Sequence, residues 1–271
     1  MTKTTPFFSV VIPTLNEEKY LPRLLGDLAK QSMRDFEVNV VDGQSTDRTL
    51  SLAEAYTNKL PHLHLFTCTH KNVSTQRNFG AVKSKGKYLV FMDADNTLPT
   101  YYLEGLHYRL LSTPTDLFTT WCTPDSSASG EKTIATAINL AAETAKLLNL
   151  DTALGALIGF KANVFRTDSG FDANMNFAED TEIVRRYVKR GYNFSIFRDP
   201  QFCYSFRRYR AAGTIKTIQK SAVLYIKAVT GNYVNPSEYP MGGHVFVKSK
   251  RTLKDALAQI MDKLRTAIDE E

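Results

Sequence analysis

The sequence predicts an α/β protein: a doubly wound, mostly parallel sheet flanked by helices, with a helical C-terminal extension. Three observations carry this. Short apolar runs alternate with segments whose apolar residues recur at helical spacing, the signature of strand–helix–strand units with right-handed crossovers. The run at residues 88–92 is continuously apolar, as in a strand covered on both faces. Two of the runs end abruptly in carboxylates, at Asp42 and at Asp93 with Asp95, and a buried strand can release charge only at its end.

Residues 8–12 read as the first strand, stopped by Pro13. Asn16 is placed to cap the following helix, with Glu17 and Glu18 in its positive first turn. Leu21, Leu24, Leu25 and Leu28 form that helix's core face. Residues 36–41 are the second strand. Ser45, Thr46 and Asp47 are N-cap types for the helix after it. Residues 63–67 make a third strand, 74–82 a short helix carrying Gln76, Arg77 and Asn78, and 88–92 the fourth strand. Asp93 and Asp95 leave its carboxyl end, where open α/β sheets place their ligands. Two apart on extended backbone, they share a face and offer hard oxygens to Mg²⁺ or Mn²⁺ holding phosphate. The competing reading is a solvated turn capping a helix. Asp42 has a similar alternative, a turn residue bonding its own backbone beside Gly43.

The second half is less regular. Residues 117–121 read as a strand and 133–150 as a helix, with Ile134, Ile138, Leu140, Ala141, Leu147 and Leu148 as its core face. Residues 153–160 are a small-residue apolar run whose glycines permit close packing or close approach to a sugar. Glu179, Asp180 and Glu182 open a helix with Ile183, Val184, Tyr187 and Val188 on one face, closed by Gly191. Acid in a first turn complements the helix dipole, which also keeps a carboxylate ionised for general-base work. Residues 192–197 read as a strand, and 202–210 are aromatic and basic. The extension holds a helical pattern through Ile215, Ile218, Ala222, Tyr225 and Val229, carrying Lys216, Lys220 and Lys227. An amphipathic one follows from Thr252 through Leu253, Ala256, Leu257, Ile260, Leu264 and Ile268.

The chain has 271 residues and a formal net charge of +6, which favours an anionic partner such as a nucleotide diphosphate or a lipid phosphate. No nucleic-acid module is present, so no nucleic-acid partner is expected. Cys68, Cys122 and Cys203 are far apart and odd in number, as buried thiols of a reducing compartment are. No run reaches bilayer-spanning length, and residues 7–13 are too short for a signal core. A cytoplasmic protein is expected. Basic and aromatic residues in 202–210 and the amphipathic tail suit peripheral contact with the inner face of a membrane, although Asp269-Glu270-Glu271 opposes it.

Taken together in order, five segments resemble the inverting family 2 glycosyltransferases, which have the GT-A fold of the nucleotide-diphospho-sugar transferase superfamily. Ser9-Val10-Val11-Ile12-Pro13-Thr14-Leu15-Asn16-Glu17 looks like the opening strand and donor loop. Val41-Asp42-Gly43-Gln44-Ser45-Thr46-Asp47-Arg48-Thr49 looks like the base-binding segment. Gln76-Arg77-Asn78-Phe79-Gly80 looks like the segment before the metal motif, and Asp93-Ala94-Asp95 like that DXD motif. Gly170-Phe171-Asp172 with Glu179-Asp180 looks like the acceptor-side motif.

The resemblance implies a glycosyltransferase domain over 1–210, with a nucleotide-sugar half over 1–98 and an acceptor half over 99–210, then an extension over 211–271. It implies donor contacts from Pro13, Thr14, Asn16, Glu17, Asp42, Arg77, Asp93 and Ala94. The metal, Mg²⁺ or Mn²⁺, would sit at Asp95 with Asp93 nearby. Asp180 would be the catalytic base, with Glu179 orienting it or contacting the sugar. Arg207, Arg208 and Arg210 would grip the diphosphate or an acceptor phosphate, unless they form a solvated basic rim. His244, in a Gly242-Gly243 loop, is a candidate third metal ligand beside the plainer reading of a surface histidine. A UDP-sugar is expected before a GDP-sugar, and the acceptor stays open, lipid-linked as in many relatives. The Gln-x-x-Arg-Trp motif of processive synthases is missing, so transfer is expected to be non-processive. The alternatives are a nucleotidyltransferase, whose Gly-rich, Arg-containing loop is not what residues 13–17 offer, and a non-catalytic nucleotide-sugar-binding protein.

Overall fold

The computed structural model describes residues 5–175 and 177–212. In chain order the elements are β1 (Phe8–Thr14), α1 (Leu21–Ala29), β2 (Phe36–Asp42), α2 (Thr49–Glu54), β3 (Leu63–Thr67), α3 (Val73–Lys83), β4 (Tyr88–Met92), α4 (Tyr102–Ser112), β5 (Leu117–Pro124), α5 (Ser129–Leu147), β6 (Leu157–Lys161), α6 (Ala162–Phe165), α7 (Glu179–Lys189), β7 (Phe194–Tyr204) and α8 (Arg207–Ala212). The sheet and its helices form one compact unit, residues 1–174 with 179–206. A second unit takes in 175–178 and begins again at α8.

The seven strands lie in the order β3-β2-β1-β4-β6-β5-β7. β1 pairs in parallel with β2 on one side and β4 on the other. Every residue of β1, β2 and β4 is buried, because helices cover both faces. The chain winds outward from β1 through β2 to β3, then crosses back to β4. The carboxyl ends of β1 and β4 therefore flank the point where strand order reverses, the usual ligand crevice of such sheets. Thr14 stands beside Asp42 in the β1–β2 register, and Asp93 leaves β4 on the same edge.

β6 departs from the parallel pattern. It runs antiparallel between β4 and β5, pairing Gly159 with Val90 and Phe118. This is the small-residue run, and close packing is what its second glycine serves: a Cβ on Gly159 would fall 2.1 Å from the Phe118 ring. Behind β4 and β6, Phe91, Phe160, Phe165, Phe171 and Tyr187 interlock mostly edge to face, with Phe91 and Phe171 centroids 5.0 Å apart.

Two sequence expectations are corrected. Asn16 does not cap α1; Tyr20 holds that position without a side-chain cap. Asn16 instead turns the chain at φ 56 and accepts from Thr46 N at 2.8 Å, a left-handed conformation that Asn tolerates. In α5 the predicted face holds only in part: Ile134 and Ile138 are half-buried, but the rest of it is uncovered. Leu140, Leu147 and Leu148 are 48%, 84% and 64% exposed, and Ala141 is exposed. The buried positions are Ala135 and Asn139, whose amide exchanges hydrogen bonds with the Cys122 backbone at 3.0 and 2.8 Å. β5 lies between β6 and β7 but pairs with β6 only at Leu117 and Phe118, so on that side the Cys122 backbone takes a polar side chain instead. No helix among the described residues is long and apolar enough to cross a membrane.

Candidate active site

The site is built on the reversal point. The loops after β1 and β2 are tied together by their own polar groups. Asn16 N donates to Ser45 Oγ (2.8 Å), Glu17 N to Thr49 Oγ1 (2.8 Å) and Glu18 N to Asp47 Oδ2 (3.1 Å). Asp47 also accepts from Thr49 N at 2.9 Å from the position before the N-cap of α2, which Arg48 holds without a side-chain cap, so none of Ser45, Thr46 and Asp47 is the N-cap. Asp42 is 1% exposed: its Oδ1 accepts from Ser45 Oγ at 2.5 Å and Thr14 Oγ1 at 3.2 Å, and its Oδ2 from Ser45 N at 2.8 Å. This is the turn-bracing role held open above. Pro13, Thr14 and Glu17 are likewise buried, so they shape this loop pair more than they line its surface.

α3 delivers the polar centre. Gly80 lets it settle on the sheet, since a Cβ there would stand 2.4 Å from Val11 Cγ1. Three successive side chains then reach three different places. Gln76 Nε2 donates to the Thr14 and Val41 carbonyls, both at 2.8 Å. Asn78 bonds both the N–H and the carbonyl of Phe171, at 2.8 and 2.7 Å. Between them Arg77, 2% exposed, donates through Nη1 to Glu179 Oε1 (2.8 Å) and through Nη2 to Asp93 Oδ1 (3.1 Å) and the Gly155 carbonyl (2.8 Å). The Phe171 ring lies under its guanidinium, 5.1 Å away. Burial alone would lower the Arg77 proton affinity, but Asp93, Glu179 and Asp180 more than offset this and raise it.

Asp180 sits in the first turn of α7. Its Oδ1 accepts from Thr181 N at 2.7 Å, and Oδ2 lies so close to Gly155 that a Cβ there would approach to 2.5 Å. Burial, then the Glu179 carboxylate, pushes its pKa up to about 7, opposed by the Thr181 N–H, by Arg77 and by the Gly155 N–H. A carboxyl that titrates near neutrality is what a general base requires.

Asp93 keeps 39% of its side chain exposed, Asp95 is half-buried, and Ala94 between them is buried. Among the described residues no cluster of three His, Cys, Asp or Glu side chains would hold a metal alone. Two hard oxygens with open positions fit Mg²⁺ or Mn²⁺, which keep waters and accept phosphate oxygens. A cleft of about 830 Å³ between α1 and the chain after β4, lined by Arg23, Asp27 and Tyr101 among others, contains none of these groups. Arg207, Arg208 and Arg210 lie on α8, in the second unit. His244, the lysines of the predicted helix after Ile215 and the amphipathic tail lie outside the described residues.

Sequence reading missed three structural features of the site: the Arg77 bridge, the Gly155 carbonyl and the Asn72 cap on α3, which accepts from Thr75 N at 2.9 Å. One signal was available. Gln76, Arg77 and Asn78 are consecutive polar residues in a helix too short to be solvent-facing all round.

The glycosyl transferase family 2 model matches residues 9–172, more than half of the chain. The poly(ribitol-phosphate) beta-N-acetylglucosaminyltransferase TarS of Staphylococcus aureus is 40% identical over 92 residues, 33% of this chain and 16% of TarS. A PGL/p-HBAD biosynthesis glycosyltransferase of Mycobacterium bovis is 39% identical over 94 residues, 34% of this chain and 37% of that protein. The chain thus matches less than two fifths of either relative's length. Among solved structures, the mannosyltransferase PcManGT from Pyrobaculum calidifontis, in complex with GDP-Man and Mn²⁺, is similar with a TM-score of 0.66 and 21% identity, over 89% of this chain and 69% of that one. TarS 1–349 in complex with UDP-GlcNAc gives 0.58 and 21%, over 81% and 66%.

Proposed function

Since the chain belongs to glycosyl transferase family 2 and has the fold of GT-A glycosyltransferases, we propose that it is a metal-dependent, inverting, non-processive glycosyltransferase. It moves a sugar from a nucleotide diphosphate to an acceptor hydroxyl. The observation that carries this is the meeting of three carboxylates around one buried guanidinium: Asp93 from the end of β4, and Glu179 and Asp180 from the start of α7.

Each side chain has a task in this reading. The laced loops after β1 and β2 hold the nucleoside end, with Asn16 and Ser45 at their half-buried surface. Asp95, with Asp93 beside it, would hold a divalent cation, which would supply Lewis-acid stabilisation to the diphosphate leaving group. Asp180 takes the proton from the acceptor hydroxyl as it attacks the anomeric carbon from the face opposite the leaving group. Its pKa near 7 keeps it part ionised at neutral pH, yet basic enough to accept a proton. Inversion follows from that single displacement. The net charge of +6 favours an acceptor that carries phosphate or is lipid-linked, and TarS is named for a phosphate-bearing acceptor.

The test is a panel of labelled UDP- and GDP-sugars with Mn²⁺, Mg²⁺ or a chelator, following hydrolysis and transfer. Turnover of a UDP-sugar that needs metal, and that Asp95→Asn abolishes with the fold intact, is expected. Nucleotide affinity that is the same with and without metal, in both native protein and variant, refutes the metal role.

A further inference from the structure

Resting on the reading of Asp180 as the base, we propose that Arg77 is a positioning residue for transfer and not a contact to the sugar nucleotide. It ties the end of β4 to the start of α7 and so fixes where Asp180 stands relative to the donor.

The burial of Arg77 argues against donor contact. At 2% exposure it presents no open N–H to a ligand. Its Nη groups are taken by Glu179, Asp93 and the Gly155 carbonyl, and its Nε is buried with no acceptor among the described residues. Phe171 closes one face of the guanidinium, and Asn78 fixes Phe171 in turn. A planar fork held at several points locks orientation in a way a single ammonium cannot. All three partners come from separate elements: the β4 end, the loop before β6 and the first turn of α7. Together they are the structures that must stay in register for in-line attack.

Arg77 also sets the charge around the base. The charged groups facing Asp180 among the described residues are Glu179 on its own helix and Arg77 from α3, with the Gly155 and Thr181 N–H dipoles. Asp93 lies beyond Arg77. Glu179 favours the protonated form of Asp180 and Arg77 the ionised form.

Three variants test this: Arg77→Lys, Arg77→Gln and Glu179→Gln. Each is measured for UDP affinity with Mn²⁺, for turnover of the best donor, and for the titration of the Asp180 carboxyl by ¹³C NMR. Arg77→Gln removes the cation that faces Asp93, Glu179 and Asp180 among the described residues and can fail to fold. Arg77→Lys keeps the charge, and Glu179→Gln is isosteric, so these remain informative. For Arg77→Lys, UDP affinity within about twofold of native and turnover down about tenfold to a hundredfold are expected, as for a catalytic group misplaced by an ångström. The Asp180 titration should move to higher pH in Arg77→Gln and to lower pH in Glu179→Gln. UDP affinity lost in step with turnover makes Arg77 a donor contact and overturns the role. So does native turnover in Arg77→Lys, or an Asp180 titration that neither Arg77→Gln nor Glu179→Gln moves. A native protein that turns over no sugar nucleotide, yet shows both NMR shifts, refutes the enzymatic reading and leaves the Arg77 clamp standing.

Discussion

Asp180→Asn should stabilise the fold while removing the activity, and the size of the gain should depend on pH. In the folded chain burial, then Glu179, raises the Asp180 pKa from 3.8 to about 7 against the opposing pull of Thr181 N–H, Arg77 and Gly155 N–H. A carboxyl whose folded pKa lies above its unfolded one binds its proton more tightly when folded. Its penalty is absent below the unfolded pKa, grows as pH rises from about 4 to about 7, and is constant above that. At about 1.4 kcal/mol for each tenfold change in proton affinity, the ceiling is about 4 kcal/mol. Asp180 keeps some contact with solvent, which screens part of this and leaves about 2 kcal/mol as the working figure. The amide also changes the bonds to Thr181 N and Gly155 N, but that offset is the same at every pH, so the slope is the measurement. Urea unfolding of native and variant protein at pH 4, 6 and 8 should show the variant gaining stability relative to native by about 2 kcal/mol from the lowest to the highest pH. A difference that stays flat, or that falls as pH rises, refutes the placement here of a carboxyl whose pKa is raised by burial and by Glu179. Transfer by the variant should drop by about a hundredfold or more.

Gly155→Ala would push a methyl to within 2.5 Å of Asp180 Oδ2, so turnover should fall more than about tenfold while UDP binding is kept; native turnover would show that the carboxylate moves aside freely. Asn72→Ala removes the α3 cap and the bond from Asn72 Nδ2 to the Ala173 carbonyl, which should cost about 1 kcal/mol in urea unfolding. Gly80→Ala sets a methyl 2.4 Å from Val11 Cγ1 and 3.0 Å from Val41 Cγ2, and should cost about 1–3 kcal/mol and loosen the placing of Gln76 and Arg77.

What the sequence determined by itself was whatever depends on neighbours along the chain. The apolar runs named β1 and β4, because a strand covered on both faces shows little polar alternation, while β2, with Glu37 and Asn39, and the half-buried edge strand β3 were legible from their β-branched and aromatic residues. An unpaired carboxylate is favoured only beyond a buried strand, which put Asp42, Asp93 and Asp95 at one edge; Glu37, buried within β2, is the exception and is held by Ser9 Oγ and Lys85 N. The face of α7 was legible too: Ile183, Val184 and Tyr187 are fully buried, and Gly191 closes the helix region at φ +87.

Tertiary structure alone decided what rests on pairing between distant segments. The antiparallel insertion of β6 between β4 and β5 has no periodic signature, because a short run of small residues fits either direction. The face of α5 was misread beyond Ile134 and Ile138 because periodicity reports which residues share a side, and β5 decides which side is covered. There Asn139 answers unpaired backbone, and the leucines face outward. Arg77 shows the limit most plainly. Its partners Asp93, Gly155 and Glu179 lie 16, 78 and 102 residues away along the chain. A charge can be buried only where several such partners converge, and that convergence exists only once the sheet has assembled.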